Sequence, residues 1–290
     1  ICTSIKRLHD TNKSGVQLFW LLVPIFGLFW AFYALGLKAS YPLRNRHGLK
    51  PGSKDDYLVN EAPQAIKHLD TQDRIVNDVT RLNPVVVSNV HVPTSIVEVQ
   101  EIVKNTPGAI SIGGGRFSMG GQTASHQSTH LDMRRLNQIL EFDAQAKTIR
   151  VQSGIRWCDI QNHIDEHDLS LKIMQTYANF TVGGSLSVNA HGRYVGQGPL
   201  ILSVDEIELV LASGELVRAS RTENSEIFFG AIGGYNALGI IVTARFSLND
   251  NVRVKRRSIR LPIHEYKENF FATVRGNSSA VFHNGDIYPP

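Results

Sequence analysis

Ile112-Gly-Gly-Gly-Arg-Phe-Ser-Met-Gly-Gly121 decides how this chain folds, because five of its ten residues are glycine and the apolar run Ala109–Ile112 leads into it. Glycine loses more backbone entropy on ordering than any other residue. A cluster of glycines therefore marks positive φ angles or something lying close to the backbone. Two further glycine-rich stretches follow, Thr181-Val-Gly-Gly-Ser-Leu-Ser187 and Gly233-Gly-Tyr-Asn-Ala-Leu-Gly239. Loops of this kind offer successive N–H groups to phosphate oxygens. The first lacks the lysine and Ser/Thr ending of a P-loop, which argues against nucleotide hydrolysis. It also lacks the Gly-x-Gly-x-x-Gly that opens a helix in a βαβ unit, which disfavours a Rossmann cofactor site. Tight turns explain most single glycine loops. Three of them, each beside a strand or helix start, point to a diphosphate-bearing ligand.

Working outward, a regular pattern surrounds the loops. Val85–Val87 and Ala109–Ile112 read as short strands. Between them Ser95 caps a helix, Glu98 completes a capping box, and Ile96, Val99, Ile102 and Val103 form its buried stripe. Pro107-Gly108 ends it. Strands are expected near 129–133, 139–142 and 148–152, then a helix near 156–167. A hairpin over 204–211 and 215–219 turns at Ser213-Gly214, a helix covers 225–232, and a strand covers 240–248. The domain is mixed α+β and not a run of βαβ units.

Composition narrows the class. The chain has 290 residues, 42% hydrophobic and 19% charged, enough for one large or two modest domains. A net charge of +4 is too small to argue for nucleic acid. Lys255, Arg256 and Arg257 cluster, and read as a solvated strand edge. Two cysteines, Cys2 and Cys158, exclude a disulfide framework and a four-cysteine metal site. His163 and His167 fall at i, i+4. Trp157, Ile160 and Ile164 put a core stripe on the same helix, so we read it as half-exposed and amphipathic, with no metal.

Val16 to Leu37 reads VQLFWLLVPIFGLFWAFYALGL, with only Gln17 clearly polar. As a helix it would reach about 33 Å, close to the ~30 Å hydrocarbon core. It is too long for a secretory signal, and no small-residue cleavage site follows. We expect one membrane span. Lys6, Arg7 and Lys13 lie before it and Lys38, Arg44, Arg46 and Lys50 after it, so the positive-inside rule gives no orientation. The first residue is isoleucine, so we expect a fragment or a processed form.

The organisation expected is a membrane segment over 1–40, a linker over 41–80, a glycine-loop domain over 81–250, and the opening of a further domain over 251–290. In that last part we expect a strand at 253–262, a helix near 263–274 and a second strand near 280–282.

Two resemblances add to this reading. Lys6-Arg-Leu-His-Asp-Thr-Asn-Lys-Ser-Gly15 with the apolar run resembles the last hairpin of the DUF805 group, bacterial inner-membrane proteins of unknown function. It covers about 35 residues, implies no chemistry, and implies a bacterial inner (cytoplasmic) membrane location. Ser111-Ile-Gly-Gly-Gly-Arg-Phe-Ser118, His130-Leu-Asp-Met-Arg-Arg-Leu-Asn137, Ile149-Arg-Val-Gln-Ser-Gly154 and Thr181-Val-Gly-Gly-Ser-Leu-Ser-Val-Asn-Ala-His-Gly192 resemble the flavin-binding half of the vanillyl-alcohol-oxidase-type family, with Val204–Glu215 and Gly239–Thr243 completing the order. The likeness is closest to sugar-lactone and sugar-alcohol oxidases and the decaprenylphosphoryl-ribose oxidase branch. It runs from about residue 82 to 250.

That resemblance implies a two-subdomain FAD-binding fold of PCMH type, here preceded by a transmembrane helix and followed by a truncated substrate domain. It implies that the amides of Gly113, Gly114, Gly115, Arg116 and Phe117, with the Ser118 hydroxyl, hold the FAD diphosphate. Thr181, Gly183, Gly184 and Ser187 would approach the diphosphate and ribityl chain. Asn189, Ala190, His191 and Gly192 would run toward the ring, with His191 equally readable as a structural histidine. Ile241 would pair its backbone with the ring or adenine edge. Many members attach FAD through a histidine in the first loop. The matching residue here is Arg116, and no cysteine lies near 170–180 for the other linkage, so FAD is expected to be non-covalent. Arg116 would offset diphosphate charge or point to solvent.

The activity implied is hydride transfer from the hydroxyl-bearing carbon of a sugar, lactone or polyol-like small molecule to flavin N5, with oxygen, a quinone or a protein as electron acceptor. The catalytic base is unknown and is expected beyond residue 290. Two other readings stay open: a non-catalytic flavin- or nucleotide-binding membrane protein, and an NADPH-dependent flavin reductase of the peptidoglycan-precursor type.

Overall fold

The computed structural model describes residues 74–288, so the expected membrane span and the linker as far as residue 73 lie outside the described residues. Among the described residues no helix is long and apolar enough to cross a membrane. The described chain divides into two compact units. One comprises residues 74–91 with Gly108–Leu131, the other Val92–Pro107 with 132–288.

In the first unit β1 (Ile75–Val76) pairs antiparallel with β2 (Val85–Val86). β1 thus falls within the stretch read as a linker with weak local structure. A two-residue strand has no period for a sequence pattern to detect. β3 (Asn89–His91), β4 (Ile110–Gly113) and β5 (Thr129–Asp132) make a three-stranded sheet in the order β3-β5-β4, with β3 and β5 parallel. All four residues of β5 are buried, as a central strand requires.

The second unit opens with α1 (Ile96–Asn105). Ser95 Oγ accepts from the Glu98 N–H at 3.2 Å. The Glu98 carboxylate reaches back to the Thr94 N–H at 2.7 Å, one residue before the cap. The Ser95 half of the expected capping box is thus formed, while the Glu98 half goes to Thr94 in place of the Ser95 N–H. Of the predicted stripe, Val99 and Val103 are buried. β6 (Ile139–Asp143) and β7 (Thr148–Gln152) follow, then α2 (Trp157–Asp165), β8 (Leu169–Leu171) and the short α3 (Val182–Ser187). After these come β9 (Val204–Val210), β10 (Leu216–Ser220), α4 (Ser225–Ala231) and β11 (Ile240–Asp250). The strands form one antiparallel sheet in the order β10-β9-β11-β7-β6, with β8 paired to the far end of β11.

The core lies between this sheet and α2, α3 and α4. Trp157, Ile160 and Ile164 are fully buried, at the i, i+3, i+7 spacing the sequence displays, and each contributes roughly 1.5–3 kcal/mol of apolar burial. Trp157 meets Phe246 of β11 edge-on, with ring centroids 5.5 Å apart. His163 and His167 pack on the ring of Phe142, at 5.0 and 4.8 Å.

Beyond β11 the expectations fail in part. No strand forms over 253–262, and residues 251–260 are exposed throughout. Alternation alone does not make a strand, because its amides need a ladder partner. The helix expected near 263–274 is broken into a 3-10 turn (Ile263–Glu265), α5 (Tyr266–Phe270) and a π turn (Phe271–Arg275). The strand expected at 280–282 is reduced to a single bridge between Tyr194 and Phe282.

Candidate functional site

In the first unit the glycine loop leaves the end of β4 and is tied down at two points. The Arg116 carbonyl accepts from the Val79 N–H at 3.0 Å. The Gly121 N–H donates to Asp78 Oδ2 at 3.3 Å, and the Asp78 carboxylate also takes hydrogen bonds from the Thr80 N–H and Asn83 Nδ2. Asp78 is buried, and these donors offset the cost of burying a carboxylate. Asp78 escaped the sequence reading because it lay in the expected linker.

Gly113 is required by sterics. A Cβ there would stand 2.7 Å from Nε2 of His130, whose Nδ1 lies 2.9 Å from Ser111 Oγ. Arg116 takes a left-handed conformation, φ 60°, and is only 5% exposed. The alternative in which it points to solvent is therefore excluded. This loop therefore carries a buried arginine side chain. Gly114, Gly115 and Phe117 are half-buried, and Ser118 is exposed.

In the second unit Thr181–Ser187 is not an open loop. Thr181, buried, is the N-cap of α3. The first-turn amides are largely spent inside the protein. Val182 N–H donates to the Ile155 carbonyl at 2.9 Å, Gly183 N–H to the Ser153 carbonyl at 2.7 Å, and Ser185 N–H to the Thr181 carbonyl at 3.0 Å. That leaves the amide of exposed Gly184 as the remaining first-turn donor. A Cβ on Gly184 would meet only Thr181 Oγ1 within 4 Å, at 3.2 Å. Gly183 serves by close approach, since a Cβ there would stand 3.0 Å from the Ser153 Cβ.

The helix is anchored from below and behind. Ser185 Oγ accepts from Trp157 Nε1 at 2.8 Å and donates to Gln175. The carbonyls of Leu186 and Ser187 accept from the Gly233 and Tyr235 amides at 2.9 and 3.0 Å. The third glycine stretch is therefore a buttress for α3. Its glycines are steric necessities too: a Cβ on Gly234 would stand 2.0 Å from the Gly230 carbonyl oxygen, and one on Gly239 2.4 Å from that of Val210.

Ser187 and Ala190 are buried. Asn189, at φ 44°, accepts the Ile201 N–H on its side-chain oxygen at 3.1 Å. His191 is exposed, and its Nδ1 lies 3.2 Å from the Gly192 carbonyl. A Cβ on Gly192 would stand 2.2 Å from the Met174 carbonyl oxygen. Ile241 is buried in the ladder opposite Leu209. A β-bulge between Ile241 and Thr243 turns the Val242 carbonyl to accept the Ser153 N–H at 2.9 Å.

Four titratable groups in this unit are shifted: Arg156 and Arg218 upward, chiefly through their hydrogen bonds to Asp159 and Glu223, and two neutral acids. Burial, first, pushes the Cys158 thiol above its ordinary value, and the neighbouring Asp159 carboxylate adds to it. Burial likewise raises the Tyr194 phenol. Among the described residues no group of three or more His, Cys, Asp or Glu could hold a metal ion.

The first unit thus holds a glycine loop with a buried arginine, and the second a helix start with one exposed glycine. Comparison with known proteins gives two family matches and a set of relatives. Residues 87–220 match the FAD binding domain family, and residues 1–49 match a protein family of unknown function, DUF805. Cytokinin dehydrogenase 1 of Arabidopsis thaliana is 35% identical over 134 residues, 45% of this chain and 23% of that protein. Alditol oxidase of a Streptomyces strain is 34% identical over 108 residues, 37% of this chain and 26% of its own length. Bovine L-gulonolactone oxidase is 27% identical over 154 residues, 52% of this chain and 35% of its own. The chain thus spans about a quarter to a third of the curated relatives it matches.

Proposed function

We propose that this chain, whose residues 87–220 match the FAD binding domain family and which is similar to flavin oxidoreductases, is the cofactor-holding part of an enzyme that oxidises a hydroxyl-bearing small molecule of sugar, lactone or polyol type. The names of the relatives support an oxidoreductase but do not single out that donor, since a cytokinin dehydrogenase stands beside the lactone and alditol oxidases. The observation that carries the reading is the buried Arg116 side chain in the glycine loop, a basic group where side chains are otherwise missing.

The residues proposed to hold FAD are Gly113, Gly114, Gly115, Arg116, Phe117 and Ser118 in the first unit. In the second they are Thr181, Gly183, Gly184, Ser187, Asn189, Ala190, His191, Gly192 and Ile241. Bound FAD would supply the two-electron acceptor. The chain's own part is to neutralise the diphosphate with Arg116, to admit it closely at Gly183 and Gly184, and to orient it through the exposed Gly184 amide. Arg116 offers no nucleophile for a covalent flavin bond, so the attachment is non-covalent.

The test is simple. Purified chain should show the visible flavin absorption band. Acid precipitation should release all of the flavin into the supernatant, and a yellow pellet would refute non-covalent attachment. Reduction of the bound flavin by alditols or aldonolactones, and not by NADPH, supports the donor class; the reverse result rejects it. The 22-residue apolar run at 16–37 and the DUF805 match over 1–49 support a tether to a bacterial inner membrane. Release of the chain from membranes by alkaline carbonate would contradict that.

A further inference from the structure

Past the end of β11 the chain runs Asn251-Val-Arg-Val-Lys-Arg-Arg-Ser-Ile-Arg260. Arg253, Lys255, Arg256, Arg257 and Arg260 make half of it basic, and no acidic residue stands between Asp250 and Glu265. The whole chain nets only +4, so its positive excess is gathered in this one segment.

The fold leaves that charge unanswered. Residues 251–260 join no strand or helix and are exposed throughout. None of the five basic side chains makes an ion pair among the described residues. Elsewhere in the same unit exposed basic side chains do find carboxylates: Lys147 reaches Asp250 at 2.7 Å and Arg218 reaches Glu223 at 2.9 Å. Like charges crowded together repel one another, and such blocks serve as interaction segments.

Aliphatic residues are interleaved with the basic ones. Val252, Val254 and Ile259 are each more than half exposed. The segment therefore asks for an anionic partner and an apolar boundary at the same place. A bilayer surface carrying anionic headgroups offers both. Guanidinium forks pair with phosphate oxygens, while the aliphatic stems of Arg and Lys lie along the acyl boundary. A nucleic acid strand would meet only the first demand, and no aromatic residue stands in 251–262 to stack on a base.

We propose that residues 251–260 are a docking segment for an anionic phospholipid surface. The segment acts in addition to the tether at 16–37 and does not require it.

The experiment adds the full chain to preformed vesicles of phosphatidylcholine, alone or with a minority of phosphatidylglycerol. Trypsin cutting within 253–260 is timed by mass spectrometry of the fragments. Each basic residue near an anionic surface is worth about fivefold in the binding equilibrium, so phosphatidylglycerol should slow cutting about tenfold or more. About 0.5 M salt should restore it, because screening then acts within a few ångströms. Lys255→Gln with Arg256→Gln and Arg257→Gln keeps Arg253 and Arg260 as cutting sites. It should weaken docking about a hundredfold, so that both vesicles give the same rate, with the melting temperature unchanged. Equal cutting of the wild-type chain on the two vesicles overturns the proposal. So does slow cutting in lipid-free buffer, which would show the segment covered by protein, and so does protection by an oligonucleotide but not by vesicles. Flotation with phosphatidylcholine alone reads the tether separately. A chain that floats there yet is cut equally on both vesicles keeps the tether and loses the docking segment. One that floats only with phosphatidylglycerol keeps the segment and loses the tether.

Discussion

Thr181–Ser187 and Gly233–Gly239 look alike as strings of glycine, yet they do opposite work. The first presents a surface: Gly184 is exposed, and a Cβ there would meet a single side-chain oxygen. The second is consumed by the fold. Its amides cap the end of α3 at Leu186 and Ser187, and its glycines lie against carbonyl oxygens of Gly230 and Val210. A glycine tells that a side chain is not wanted; it does not tell whether a ligand or the protein's own backbone takes the space.

The sharpest way to break this contrast is Gly234→Ala. Its Cβ would be forced to 2.0 Å from a backbone oxygen, with no flexible side chain to yield. We expect a loss of about 3 kcal/mol or more, read as a melting temperature lowered by roughly 6–12 °C. A variant as stable as wild type would remove the distinction between the two stretches.

Gly184→Ala should behave in the other sense. Alanine is favoured over glycine in a helix by about 1 kcal/mol, so the apo protein should be unchanged or slightly more stable. FAD affinity should drop about tenfold, the equivalent of roughly 1.4 kcal/mol. Equilibrium binding together with thermal melting separates the two effects, and a parallel fall in both would place Gly184 with the buttressing glycines.

Stability against pH sharpens the same unit in a different way. Cys158 and Tyr194 both have their proton-bound, neutral form favoured on folding, chiefly by burial. Their contribution is fully present below the unfolded-state values, about 8.5 for a thiol and 10 for a phenol, and is lost as pH rises through the folded values. Urea midpoints should be level from about pH 6 to 8 and decline in the alkaline range. Cys158→Ser should remove the earlier part of the decline and Tyr194→Phe the later part.

The smallest effect is expected at α1, whose start is served by side chains where α3 is served by neighbouring carbonyls. Ser95→Ala should cost about 1 kcal/mol, visible as a small shift in the denaturant midpoint with no change in FAD affinity.

Much of this was legible. Trp157, Ile160 and Ile164 advertised the buried face of α2, Ser95 and Glu98 the start of α1, and Ser213-Gly214 the β9–β10 turn, where Gly214 takes φ 80°. These are local matters of period, cap and turn, written in neighbouring residues. Asp78 was not legible, because its four donors are the Thr80 N–H and hydroxyl, Asn83 Nδ2 and the N–H of Gly121, more than forty residues away. Nor was the failure of the strand at 253–262, since alternation states a preference and only a paired neighbour fulfils it.

By itself the sequence marked a glycine-rich domain, placed most of its longer helices and strands, and put an arginine in the first loop. Only the tertiary structure decided that this arginine is buried, that the third glycine stretch braces a helix, and that residues 251–260 form no strand and stay exposed. The reason is physical: residue type and spacing fix what a short segment prefers, while burial and hydrogen-bond satisfaction belong to groups that folding brings together from far apart along the chain.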